Sequence, residues 1–230
     1  MADFSAVLQA FKSALCNQVD LGGLFARNST AYKWKAPWRA LLLREAVAWR
    51  LQDLLEQSLD LSTKGHLLGA RILLRSAFET LAMLIYLNKS MRSVVAGNLD
   101  FHVFSEKTSR LLLGSRDKTT TIESISILTV LDGANKRYPG LNDWYAALSE
   151  STHPNYEGML VSYSSADTQN HVTTFMNRWD ELYGNNHESA LNACFEVFLH
   201  EYDDESSSAL EALEIWIEKN DNNLESTKPR

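Results

Sequence analysis

The sequence predicts an all-α protein, a helical bundle with at most one small β-hairpin near residues 159–175. Three observations carry this. Apolar residues recur at helical spacing through most of the chain. The stretch KGHLLGARILLRSAFETLAMLIYLN, Lys64 to Asn88, is apolar on nearly every side, as a mostly buried helix is. No internal repeat or long linker divides the chain, and strand-like runs are confined to Met159–Tyr163 and His171–Phe175. Such helix-rich order argues for one bundle over residues 1–230. Its expected parts are an N-terminal helix and loop (1–36), a core bundle (37–153), a hairpin or loop (154–178), acidic C-terminal helices (179–220) and a tail (221–230).

Phe4, Val7, Leu8, Phe11, Ala14 and Leu15 fall on one side of a first helix, expected over Asp3 to Val19. Gly22-Gly23 interrupts it, and Arg27 to Lys35 reads as loop. YKWKAPWR, residues 32–39, alternates bases with aromatics. That pattern either holds single-stranded nucleic acid by charge and stacking or anchors a loop with Trp34 and Trp38 in the core. Pro37 suits the first turn of a second helix running to about Leu59. Ser62-Thr63 supplies candidate N-caps for the central helix. A fourth helix is expected over Met91 to Leu113, then polar loop over Arg116 to Thr121. Ile122 to Lys136 reads as a further helix, weakened by β-branched residues between Ile125 and Val130, and Pro139-Gly140 ends it. Leu141 to Thr152 is a short helix stopped at Pro154. The two strand-like runs form hairpin arms around Ser164–Asn170. Asn185 to Tyr202 and Ser206 to Asn220 are the final helices, broken by Asp203-Asp204-Glu205.

Composition narrows the function classes. A hydrophobic fraction of 45% and six Trp residues support a substantial core. Two cysteines, Cys16 and Cys194, exclude a disulfide framework and a CxxC metal site, and both read as core residues. The start MADFSAVLQAFKSAL lacks the pattern of a secretory signal, and the central helix is too interrupted by charge to span a membrane. A cytoplasmic setting without membrane contact is expected. The net charge of −7 is unevenly spread: residues 180–225 hold 13 acids and one base, whereas residues 1–179 carry a net +3. An anionic partner would therefore prefer the first three quarters of the chain. The whole is too acidic for a protein that coats nucleic acid nonspecifically.

Two constellations stand apart from ordinary core. In the central helix Arg71, Arg75 and Glu79 are spaced i, i+4, i+8 and form one stripe, with Phe78, Ala82 and Tyr86 on the same side. Charges on a buried helix must be paired or face a wet cavity. Either an Arg75–Glu79 pair ties helices together, or Arg71 and Arg75 line an anion-binding cleft in which Glu79 orients one of them. The second constellation is YAALSESTHPNYEG, residues 145–158. Ser149 and His153 share a helix face, His153 sits near the helix C-terminus, where the dipole favours imidazolium, and Asn155 and Tyr156 follow. His153 is thus either a structural residue at the helix end or an acid/base.

Other chemistries lack their residues. Glu150-Ser151-Thr152-His153 has ExxH spacing, but no second ExxH exists. No HExxH, GxSxG, P-loop or GxGxxG pattern occurs, and neither cofactor nor metal is expected.

ARILLRSAFETLAMLIYL, followed about sixty residues later by LSESTHPNYEGM, resembles bacterial proteins of the HEPN-like helical superfamily. The likeness is to members with an RSxxE-type helix and an SxxxHPN segment, and spans roughly residues 37 to 175. The resemblance implies a helical bundle, often homodimeric, in phage-defence or toxin–antitoxin systems, with RNA or a nucleotide as ligand and a protein partner from the same operon. Many such proteins are metal-independent endoribonucleases whose motif is an Arg, four to six intervening residues and a His. This chain departs from it: Leu148, Ala147 and Ala146 stand five to seven residues before His153. Only His153 matches the motif, by its place near a helix end; because metal-free cleavage needs an acid/base and cations on the developing phosphorane charge, the candidate catalytic set is His153 with Arg75 and Glu79 from the central helix. Arg71, Ser149, Asn155 and Tyr156 would contact the ligand. The alternative is a non-catalytic sensor, antitoxin or assembly module. The catalytic set requires residues 71–79 and 149–156 to pack together.

Overall fold

Two 29-residue helices, α4 (Lys35–Thr63) and α5 (Leu67–Val95), pair along their length in a computed structural model that describes residues 4–229. Around them lie α1 (Phe4–Ala14), α2 (Leu21–Arg27), α3 (Ser29–Tyr32), α6 (Phe101–Leu113), α7 (Ile127–Asn135) and α8 (Leu141–Thr152). A π-helical turn, Tyr156–Val161, leads into strands β1 (Ser164–Asp167) and β2 (Val172–Phe175). Helices α9 (Asn185–Leu199) and α10 (Ser206–Ser226) complete the chain. The architecture is an all-α bundle with one small hairpin.

Helix α5 is the hub and touches α4, α6, α7, α8, α9 and α10. Leu74, Leu81, Leu84, Ile85, Leu87 and Val94 of α5 are fully buried, which its nearly all-round apolar sequence requires. The antiparallel hairpin pairs Ser164 with Phe175 and Asp167 with Val172. No helix among the described residues is long and apolar enough to cross a membrane.

Several boundaries differ from the sequence reading. The expected start of α1 at Asp3 lies outside the described residues, as does Arg230 of the tail; α1 ends at Ala14 rather than Val19. Gly22-Gly23 does not break structure but lies inside α2, because the Asp20 carboxylate accepts from Gly23 N at 3.0 Å. Residues 27–35 contain α3 rather than a plain loop. Trp34 is buried and donates to Asp221, while Lys33 is paired with Asp221 and Glu225, so the aromatic-basic segment anchors the C-terminal helix. Ser62 and Thr63 end α4 instead of capping α5. Helix α5 continues to Val95, and α6 restarts under an Asp100 cap. Residues 122–126 are not helical; α7 begins at Ile127, in keeping with the β-branched run before it. Only α8 has the expected bounds, Leu141–Thr152. The first hairpin arm is displaced: residues 159–161 lie in a π turn, and pairing starts at Ser164.

The acidic run Asp203-Asp204-Glu205 does not break the last helix. It belongs to a π-helical turn, His200–Glu205, joining α9 directly to α10. The wider turn directs Glu201 inward, where it is fully buried. Asn88 Nδ2 donates to its carboxylate at 2.8 Å, Tyr138 OH donates at 2.8 Å, and Arg137 forms an ion pair with it. Glu205 pairs with both Arg92 and Arg137. Burying Glu201 is tolerable because charged and polar donors from α5 and the α7–α8 turn surround it.

Candidate functional site

The two sequence constellations do meet. Helix α8 packs antiparallel on the first half of α5, as two contacts fix: Tyr145 OH donates to Glu79 Oε1 at 3.0 Å, and Arg71 Nε donates to Ser151 Oγ at 3.0 Å. A second Arg71 nitrogen donates to Ala147 O at 3.3 Å. Arg71 stacks its guanidinium on Tyr183, 4.3 Å from the ring centroid, and Tyr183 OH donates to Glu157 Oε1 at 2.8 Å. Arg71 is 7% exposed and has no carboxylate within ion-pair distance among the described residues. Burial lowers its affinity for the proton, only partly offset by the fields of Tyr183 and Glu157.

Behind Arg71 lies His187, 1% exposed, whose Nε2 is 3.1 Å from Ser58 Oγ. Desolvation, aided by the Arg71 charge, pushes its pKa down to about 4. His187 is neutral near pH 7, which spares the pocket a second cation. The Arg71 pocket is therefore a closed structural joint between α5, α8, α9 and the π turn.

Arg75 and Glu79 form the expected pair, Nε to Oε1 at 3.6 Å, and each keeps about a quarter of its side chain exposed. Arg75 also lies over the Tyr145 ring at 5.8 Å. Desolvation raises the Tyr145 pKa, and its bond to Glu79 adds to the rise. Ser149 Oγ is buried near the Tyr145 hydroxyl. His153 caps α8 through its backbone, and its exposed side chain has no partner among the described residues. Asn155 caps the π turn through Gly158 N at 2.9 Å and donates to Glu150 at 2.6 Å, while Tyr156 is 72% exposed. The chain doubles back so tightly that a Cβ at Gly158 would lie 2.1 Å from His153 O.

The antiparallel register sets which levels of the two helices face each other. Glu79 lies opposite Tyr145 and Arg71 opposite Ser151, so Arg75 lies opposite Leu148, about 7 Å along the axis from the level of His153. The arginine nearest the His153 level is Arg71, whose guanidinium is committed inward. Packing joins the segments but sets the His153 ring in solvent and Arg71 in the core.

A second feature escaped the sequence reading. The last half of α5 lines a groove against α6 and α7, with two connected lobes of about 480 and 670 Å³ sharing Tyr86, Lys107 and Thr129. Lys89 and Lys136 line the first lobe, and Arg110 and Arg116 the second. None of these five cations forms an ion pair among the described residues, although Glu123 and Asp132 line the groove. Desolvation lowers the Lys89 pKa, and the charges of Lys136 and Lys107 lower it further. Lys107 Nζ lies over the Tyr86 ring at 5.7 Å. Helical phase was an available signal: Lys89 follows Arg71 by 18 residues, five full turns, and so extends the same stripe.

No family model, curated protein or solved structure matches this chain. The described residues contain no group of three or more His, Cys, Asp or Glu side chains able to hold a metal ion.

Proposed function

We propose that this chain is a HEPN-like bundle of a bacterial phage-defence or toxin–antitoxin setting that binds RNA or a nucleotide and does not cleave it at His153. The reading rests on one observation, the five ion-pair-free cations converging on the α5–α6–α7 groove. Cations left unpaired in a chain of net charge −7 favour a phosphate-bearing ligand there. The internal commitment of Arg71 to Ser151 and Ala147 favours binding over cleavage.

The expected homodimer contact is the hairpin end. Tyr156, Met159, Leu160, Val172 and Phe175 are exposed there, and residues 158–176 carry a single formal charge, Asp167. A second copy meets least self-repulsion on this face.

The test is titration of a labelled RNA and a labelled nucleotide with purified protein at about 50 mM salt, where phosphate contacts are strongest. The expected result is binding with the RNA left intact. Absence of binding to either probe sinks the reading, and cleavage abolished by His153→Ala sinks its non-cleaving half.

A further inference from the structure

The groove lacks what a reader of single strands or of bases needs. Proteins that hold single-stranded nucleic acid offer open aromatic faces on which bases stack. Tyr86, the aromatic residue shared by both lobes, is already occupied. Its ring packs so closely on Gly133 that a Cβ there would lie 2.5 Å from Cδ2, and Lys107 Nζ sits over it. Two hydroxyls of the first lobe are held by their own helix: Ser90 Oγ donates to Tyr86 O, and Ser93 Oγ to Lys89 O, both at 2.8 Å. Arg110 donates to the backbone oxygens of Glu123 and Ser124, and Lys89 to Gly133 O at 3.4 Å, which leaves Lys107, Lys136 and Arg116 as the lining cations with no side-chain hydrogen bond among the described residues.

The two lobes adjoin through Tyr86, Lys107 and Thr129. Lys89 and Lys136 stand in one, Arg110 and Arg116 in the other, and Lys107 bridges them. The N-terminus of α7 opens into the second lobe through Ser126 and Thr129, and Ser126 makes no side-chain capping bond. Its amide dipole adds positive potential where Arg110 and Arg116 already stand. The arrangement suits a ligand that presents successive phosphates and keeps its bases turned away.

Resting on the binding function above, we infer that the groove holds the phosphodiester backbone of a double helix, read through phosphate alone and without regard to sequence. A duplex stacks its bases internally and shows its phosphates outside, so it asks for no stacking platform. RNA and DNA duplexes share this chemistry, and the experiment separates them.

The full chain is titrated with a labelled RNA duplex of about 20 base pairs, its DNA counterpart, each single strand, and inorganic polyphosphate as competitor, across a salt series. Expected are affinities equal within about threefold for unrelated duplex sequences and weaker by about tenfold or more for single strands. Lys89→Ala with Lys136→Ala should lower the slope of log affinity against log salt by about 2 while the thermal transition stays in place. A preference between duplex RNA and duplex DNA identifies the source, and either preference supports the inference. Tighter binding of single strands, marked sequence dependence, or a higher affinity for polyphosphate than for any duplex overturns it. Those results leave nucleic-acid or nucleotide binding standing, whereas binding of no RNA or nucleotide removes the function itself.

Discussion

One face of α5 carries cations toward two different neighbours, and the two halves use them in opposite ways. Toward α8, Arg71 is bonded to Ser151 and Ala147, stacked on Tyr183 and closed off from water, while Arg75 is held by Glu79. Toward α6 and α7, Lys89 faces Lys107 and Lys136 across an open groove with no carboxylate bound to any of them. The lesson is that a charged stripe is no site in itself. The neighbour decides whether the charge is spent on the fold or left for a ligand.

Replacing Arg71 tests the closed half most severely. Arg71→Ala should cost about 3 kcal/mol in chemical denaturation, because Ser151 and Tyr183 lose a buried partner and a cavity opens. A loss of RNA affinity with stability unchanged would instead place Arg71 among the ligand contacts and erase the contrast. In the open half, Lys89→Glu with Lys107→Glu should weaken RNA binding by about 100-fold, or about 2.7 kcal/mol, while leaving the melting temperature nearly unmoved.

His187 gives the closed half a pH signature. Its folded pKa, about 4, lies below the ordinary value of 6.5, so the unfolded chain binds the proton more readily between these values. Stability from this group is complete above about pH 6.5 and falls as pH drops toward 4. The expected loss between pH 7 and pH 5 is about 2 kcal/mol, read as the difference in that loss between the wild type and His187→Asn. Equal pH dependence in both would show that His187 is not desolvated.

Smaller effects sharpen the boundary between the halves. Glu79→Gln should cost about 1 kcal/mol, since Tyr145 then donates to a neutral acceptor and Arg75 loses its counter-charge. His153→Ala should change stability by less than about 0.5 kcal/mol and leave RNA affinity unaltered, because the exposed ring makes no hydrogen bond or ion pair among the described residues. A large effect of His153→Ala on RNA turnover would restore the catalytic reading.

Much of this was legible in the residues. The apolar run around Arg71, Arg75 and Glu79 announced a central buried helix, Pro154 marked the end of α8, and the i, i+4 spacing announced the Arg75–Glu79 pair. Helical periodicity and stop signals are local properties of the chain, so they survive without knowledge of the partners. The charge imbalance likewise put the excess of cations in the first three quarters, where the groove of Lys89, Lys107 and Lys136 lies.

Which face meets which neighbour is a long-range outcome, and only the tertiary structure decided it. The register of α8 on α5 sent Arg71 inward and left His153 outside, although the sequence offered each both a structural and a functional role. Lys89 of α5, Lys107 of α6 and Lys136 just after α7 share a groove only because α6 and α7 pack beside α5. The acidic stretch ending at Glu205 reads as a break until Arg92, Arg137 and Asn88 arrive to satisfy Glu201 in the core. A charge's role depends on its desolvation and its partners, and both are set by packing between segments far apart in the chain.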